Sequence, residues 1–93
     1  MRNHSKIAYS HLFDKQLKNA PLKIKEAFRK RREIFEKDPF HPQLSNHPLS
    51  GKMKGHRSIN ITGDWRMIYS ETDKKDKKVI LFELLGTHSQ LYR

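Results

Sequence analysis

Two periods divide the chain. Up to Phe35 the apolar residues recur three and four positions apart, and from Ser58 onward they alternate with polar ones, so helices are predicted first and strands later. Ahead of the helical pattern, Ile7, Ala8 and Tyr9 predict a short first strand over residues 6–9. Ser10 then stands where an N-cap belongs, with Asp14 near the start to complement the helix dipole, and Leu12, Phe13, Leu17 and Ala20 form an inward stripe. Pro21 stops this helix near Asn19 and Ala20 and suits the first turn of the next, where its missing N–H costs nothing. In the second helix Ile24, Ala27, Phe28, Ile34 and Phe35 share one face, while Lys23, Lys25, Arg29, Lys30 and Arg32 fall largely on the other; Asp38-Pro39 ends it. The short connection predicts an antiparallel helical hairpin.

Residues 40–54 hold Pro42, Pro48 and Gly51 among polar groups and read as a long irregular connection, the kind of segment that often carries function. After it, residues 58–62, 65–69 and 78–85 predict three strands, with turns at Gly63-Asp64 and over residues 73–76. They form an antiparallel meander. The order β-α-α-β-β-β predicts an α+β fold, an antiparallel sheet with the helical hairpin packed on one face and the other face partly open. A chain of 93 residues with 34% apolar residues supplies one thin core, so residues 1–93 are expected to form one domain.

Charge narrows the choice of partner. Twenty Lys and Arg against ten Asp and Glu leave a formal net charge of +10, with a pI near 10.1, which points to a polyanion, and an open basic sheet face would suit RNA. The longest apolar run, Val79-Ile80-Leu81-Phe82, is far short of the roughly 20 residues of a spanning helix, so no membrane role is expected. The basic start Met1-Arg2-Asn3-His4-Ser5-Lys6 is followed by no apolar export signal, and the chain has no cysteine; a reducing cytoplasm fits both.

Among the polar residues, the histidines matter most. Cleaving RNA through its own 2′-hydroxyl needs a base for that proton, an acid for the departing 5′-oxygen, and cations for the charge on phosphorus; imidazole serves either proton role near neutral pH. His47 and His88 are far apart in sequence, but the loop before the meander and the tail after it can meet at one sheet edge. Asp64 and Tyr92 are further proton-transfer candidates, and Arg57, Arg66, Lys52 and Lys54 candidates for phosphate. Each also has a plainer use: His47 can fix a loop before proline, Asp64 suits a turn, Trp65 a core and Tyr92 the closing of that core. Zinc has poor support, since His41 and His47 lie on an irregular segment with no cysteine or second carboxylate at a familiar spacing. A phosphate-binding glycine loop and a Gly-x-Ser-x-Gly elbow are both missing, which removes nucleotide hydrolysis and serine-hydrolase chemistry.

Three motifs, His47-Pro48-Leu49-Ser50-Gly51, Asp64-Trp65-Arg66-Met67-Ile68-Tyr69 and Gly86-Thr87-His88-Ser89-Gln90-Leu91-Tyr92, resemble in this order the RelE/ParE superfamily of bacterial toxins, and most of all its YafQ-like branch. The resemblance is specific from His47 to Arg93 and generic before. It implies a RelE-like fold and a ribosome-dependent mRNA endoribonuclease of a type II toxin-antitoxin system. Such a protein contacts mRNA and rRNA on the ribosome, is neutralised by a cognate antitoxin, and uses no metal or other cofactor. It further implies active-site roles for His47, Asp64, Trp65, His88 and Tyr92, with Arg66 holding phosphate. In that pattern a histidine sits four residues before the aspartate; this chain has Asn60, which cannot act as a base but can donate a hydrogen bond. The expected assignment is His88 as general acid, Asp64 or His47 as base, Arg66 with Arg57 on the phosphorane, and Lys52, Lys54, Arg57, Asn60 and Trp65 toward RNA. Two readings from other classes remain: a ParE-type inhibitor of DNA gyrase, and a non-catalytic RNA-binding protein whose histidines are structural.

Overall fold

The fold described here is that of a computed structural model, which describes residues 5–92; the basic start over residues 1–4 and Arg93 lie outside them. Strand β1 (Ser5–Tyr9) leads into helices α1 (His11–Asn19) and α2 (Leu22–Lys37). As the sequence predicts, Ser10 caps α1, its Oγ accepting from the Phe13 N–H at 2.9 Å. The same hydroxyl donates to the Glu83 carbonyl and the Ser10 N–H donates to the Phe82 carbonyl, so the cap also fastens the helix start to the sheet. Pro21 separates the helices, and its carbonyl accepts the first N–H groups of α2, from Ile24 and Lys25.

The meander is present, and its strands are longer than their apolar patterns: β3 (His56–Thr62), β4 (Trp65–Lys74) and β5 (Lys77–Thr87). The charged tip between β4 and β5 narrows to Lys75-Asp76, with φ of 50° and 66°. Positive φ at both central residues is what a two-residue type I′ hairpin turn requires, and its twist continues the ladder further out than hydrophobicity alone indicates.

Two edges widen this sheet to the order β1-β5-β4-β3-β2. The expectation of an antiparallel sheet holds for β2 through β5 and is corrected at β1, which pairs in parallel with β5 from Ser5↔Lys78 to Tyr9↔Phe82. The helical hairpin carries the chain across the sheet before β3 begins, so β1 reaches β5 as a crossover neighbour rather than through a hairpin. Beyond Tyr9 the β5 edge is satisfied by side chains: Gln16 Oε1 accepts from the Leu85 N–H at 2.7 Å. At the other edge, within the connection read as irregular, His47 and Pro48 form the two-residue strand β2 against Ser58 and Arg57.

The core lies between the helices and one sheet face. Phe13, Ile24, Phe28 and Phe35 meet Ile59, Ile61, Met67, Tyr69, Ile80, Phe82 and Leu85, with Leu44 from the 3-10 turn Pro42–Leu44 closing one end. Burial raises the pKa of Tyr69, whose hydroxyl is held by Asn46. The opposite face is partly open: Ser58 and Ile68, which alternation places there, are both 0% exposed, whereas His56, Asn60, Arg66 and Ser70 on the same face are half-buried. Among the described residues no helix is long and apolar enough to cross a membrane.

Candidate active site

The second sheet face is where the motifs converge. Register places Asn60, Arg66 and Gly86 side by side across β3, β4 and β5, and places His47 beside Ser58, two pairs further along and so on the same face by alternation. Directly paired residues point to the same face, so His47 and Arg66 share it. Above them His47, Leu49, Arg66, His88 and Tyr92 line a cleft of about 310 Å³. Segments that are distant in sequence thus meet at one surface, as expected of His47 and His88.

Each side chain is held by a local device. Ser45 closes the 3-10 turn at a φ of 48°, and His47 Nδ1 lies 2.8 Å from its carbonyl oxygen. A carbonyl only accepts, so Nδ1 carries the hydrogen and the neutral ring presents a lone pair on Nε2. His88 opens the short helix α3 (His88–Leu91), whose start is closed by a reciprocal pair: Thr87 Oγ1 accepts from the Gln90 N–H, and Gln90 Oε1 accepts from the Thr87 N–H. The His88 N–H donates to the Asp64 carbonyl at 2.9 Å, tying α3 to the β3–β4 turn. Gly86 permits this fold-back, because a Cβ there would stand 3.0 Å from Gln90 Oε1 and 3.3 Å from Leu91 Cδ2.

Arg66 is the most constrained group in the cleft. Its Nη1 donates to the Gly63 carbonyl at 2.7 Å and to Asn60 Oδ1 and the Trp65 carbonyl at 3.1 Å each. Asn60, which can also donate through its amide nitrogen, accepts through Oδ1 here, since guanidinium has nothing to accept with. The turn that supplies the Gly63 carbonyl takes positive φ at Gly63 alone of its two central residues, the pattern of a type II′ hairpin. The Tyr92 ring lies 4.6 Å from that of His88, and its buried hydroxyl has no hydrogen-bond partner among the described residues.

The remaining candidates do not line the cleft. Asp64 is exposed on the turn and meets the site through its main chain. Trp65 packs against the core on the helix side, in a groove shared with Leu12, Gln16, Leu85 and Leu91. Arg57 also faces the helices: its Nε donates to Asn46 Oδ1 at 2.7 Å and its guanidinium covers the Phe40 ring, so it clamps the 38–46 connection. Alternation with Ile59 and Ile61 is the sequence signal that sorts Arg57 away from Asn60. Lys52 and Lys54 are exposed on and just after the 3-10 turn Gly51–Met53.

The same alternation brings His56, which was not singled out from sequence, to the face of Asn60. His56 Nε2 stands 3.0 Å from Glu83 Oε2, which also accepts from Ser70 Oγ.

Comparison with known proteins follows the same lines. The model of the bacterial toxin of type II toxin-antitoxin systems, YafQ, matches residues 5–93. Over 54 residues the chain is 39% identical to the mRNA interferase toxin YafQ of Escherichia coli strain K12, a match covering 58% of this chain and 54% of that one. The match thus spans about half the length of this curated relative. The crystal structure of YafQ from E. coli strain BL21(DE3) superposes with a TM-score of 0.78 at 28% identity, covering 96% of this chain and 99% of that chain. YafQ in the E. coli DinJ-YafQ toxin-antitoxin complex superposes with a TM-score of 0.69, also at 28% identity, covering 97% and 99%.

Proposed function

Because the chain belongs to the YafQ family of toxins of type II toxin-antitoxin systems, we propose that it is an mRNA endoribonuclease that cuts messages on the translating ribosome. The observation that carries this reading is the grouping of His47, His88 and a tethered Arg66 around one cleft. His47 Nε2 takes the proton of the 2′-hydroxyl, O2′ attacks phosphorus, the P–O5′ bond breaks, and His88 protonates the departing 5′-oxygen. Arg66 faces the charge that builds on the phosphorane. The products are a 2′,3′-cyclic phosphate and a 5′-hydroxyl. Of the two bases considered from sequence, His47 is favoured over Asp64, because it lines the cleft and carries its proton on the far nitrogen.

Toxicity of this kind requires restraint, and the E. coli relative is solved with the antitoxin DinJ. A cognate antitoxin of acidic, amphipathic character would meet a partner of net charge +10. Primer extension on a reporter message in a cell-free translation reaction tests the enzyme reading. New 5′ ends at codon-spaced positions, present only with translating ribosomes, are expected. Intact message together with inhibited DNA gyrase supercoiling would replace it with the gyrase reading, and intact message with neither effect would leave RNA binding alone.

A second outcome concerns the chain end. Among the described residues nothing hydrogen-bonds the buried Tyr92 hydroxyl, and we give the ring, not the oxygen, the role in the site. Tyr92→Phe is expected to keep cleavage within about twofold and leave thermal stability equal or higher, since removing an unsatisfied buried hydroxyl removes a desolvation cost. Calorimetry and the cleavage assay on the same preparation check both.

A further inference from the structure

We propose that Asn60 is the positioning residue for Arg66, and that together they make a one-edged anion fork in the cleft; this rests on the reading of the cleft as a ribonuclease site. A guanidinium has five N–H donors: two on Nη1, two on Nη2 and one on Nε. Nη1 meets three protein acceptors, Asn60 Oδ1, Gly63 O and Trp65 O, and so is committed to the protein. Among the described residues no hydrogen bond engages Nη2 or Nε. Two edges of a guanidinium, Nε–Nη2 and Nη1–Nη2, present parallel N–H groups that match two oxygens of a phosphate. Anchoring Nη1 thus decides which edge is left for the scissile group.

Of the three acceptors only Asn60 belongs to another strand. The two carbonyls belong to the turn at Gly63 and to Trp65 at the start of β4, next to Arg66 in the chain, and move with it, whereas Asn60 is the cross-strand partner of Arg66 and fixes the side chain across the sheet. The chemistry of asparagine suits the task, because its amide oxygen accepts at every pH and brings no charge. An imidazole would accept only while its facing nitrogen is unprotonated, and a carboxylate would offset the guanidinium charge that the phosphate needs. The proposal therefore gives Asn60 no proton to move and no contact with RNA. It leaves proton transfer to His47 and His88.

The test compares wild type, Asn60→Ala and Asn60→His with and without Arg66→Ala, by cleavage kinetics on translating ribosomes. Asn60→Ala is expected to lower kcat about tenfold with KM within about twofold, the split for an interaction realised in the transition state. In the Arg66→Ala background the same change is expected to cost nothing further. Asn60→His is expected to run near the wild-type rate at pH 8 and to lose activity below about pH 6.5, as the introduced ring charges beside the guanidinium. Wild-type kinetics in Asn60→Ala, or an equal tenfold loss with Arg66 absent, would overturn the proposal. Nitrogen-15 NMR of the arginine side chains gives a readout independent of activity: rotation about the Cζ–Nη1 bond of Arg66 is expected to be faster in Asn60→Ala than in wild type. An unchanged rate would sink the positioning role even if cleavage is robust. A faster rate in a protein whose wild type leaves message intact would keep the positioning role and reject the ribonuclease reading.

Discussion

His88→Ala is expected to lower message cleavage on translating ribosomes by about 10²–10⁴-fold, the range for a general acid removed from its site. The loss should appear in kcat with the fold intact. Helix α3 is started by Thr87 and Gln90 through their side chains and main chain, and the tie to Asp64 uses the backbone N–H of residue 88, which alanine retains. What disappears is the imidazole and its contact with the Tyr92 ring. Circular dichroism and thermal melting of the variant, set beside its cleavage rate, separate lost chemistry from lost structure. A variant that melts like wild type and cuts like wild type would remove His88 from the mechanism.

Phe82→Ala is expected to cost about 3–5 kcal/mol of stability, a large share of the roughly 5–15 kcal/mol that holds a domain together. Phe82 is 0% exposed on the middle of β5. Its ring centroid lies 5.4 Å from Tyr9, 5.6 Å from Phe13, 5.9 Å from Phe28, 5.7 Å from Phe35 and 6.5 Å from Tyr69. Among the described residues it is the one ring touched from β1, both long helices and β4, so its truncation opens a void bounded by all four elements. Edge-to-face geometry in four of the five pairs contributes beyond the buried area. Urea denaturation checks this: the midpoint should fall with the slope unchanged. Phe82→Leu, which keeps most of the volume, should lose less.

Local signals in the sequence carried the elements, and long-range ones did not. Ser10, Pro21 and the stripes through Phe13 and Phe28 delimit both helices because caps and periods act within a few residues. The parallel pairing of β1 with β5 joins residues at opposite ends of the chain, and nothing in Ile7-Ala8-Tyr9 encodes which edge it will take. The charged residues from Glu71 to Lys78 obscured the outer ladder, where both faces meet solvent and alternation has no apolar member to show it.

In the site, motif order marked His47, Arg66 and His88, and the cleft contains all three. Trp65 went to the helix side because strand alternation overrides motif membership and gives it a face with Met67, and Arg57, a phosphate candidate from outside the motifs, shares a face with Ile59 and Ile61. The acceptor role of Asn60 was not legible, since it depends on a guanidinium arriving from the paired strand.

The link from His88 to the β3–β4 turn runs entirely through peptide groups, from one amide to one carbonyl. The architecture of the site at this point is therefore blind to side-chain identity at positions 64 and 88. Any residue but proline at 88 can keep the tail docked, and any residue compatible with the turn can receive it at 64. Selection is then free to change the chemistry presented at both positions without rebuilding the scaffold. By the same logic, comparing wild type with Asp64→Asn reports on the carboxylate charge alone, undisturbed by loss of the docking it stands beside.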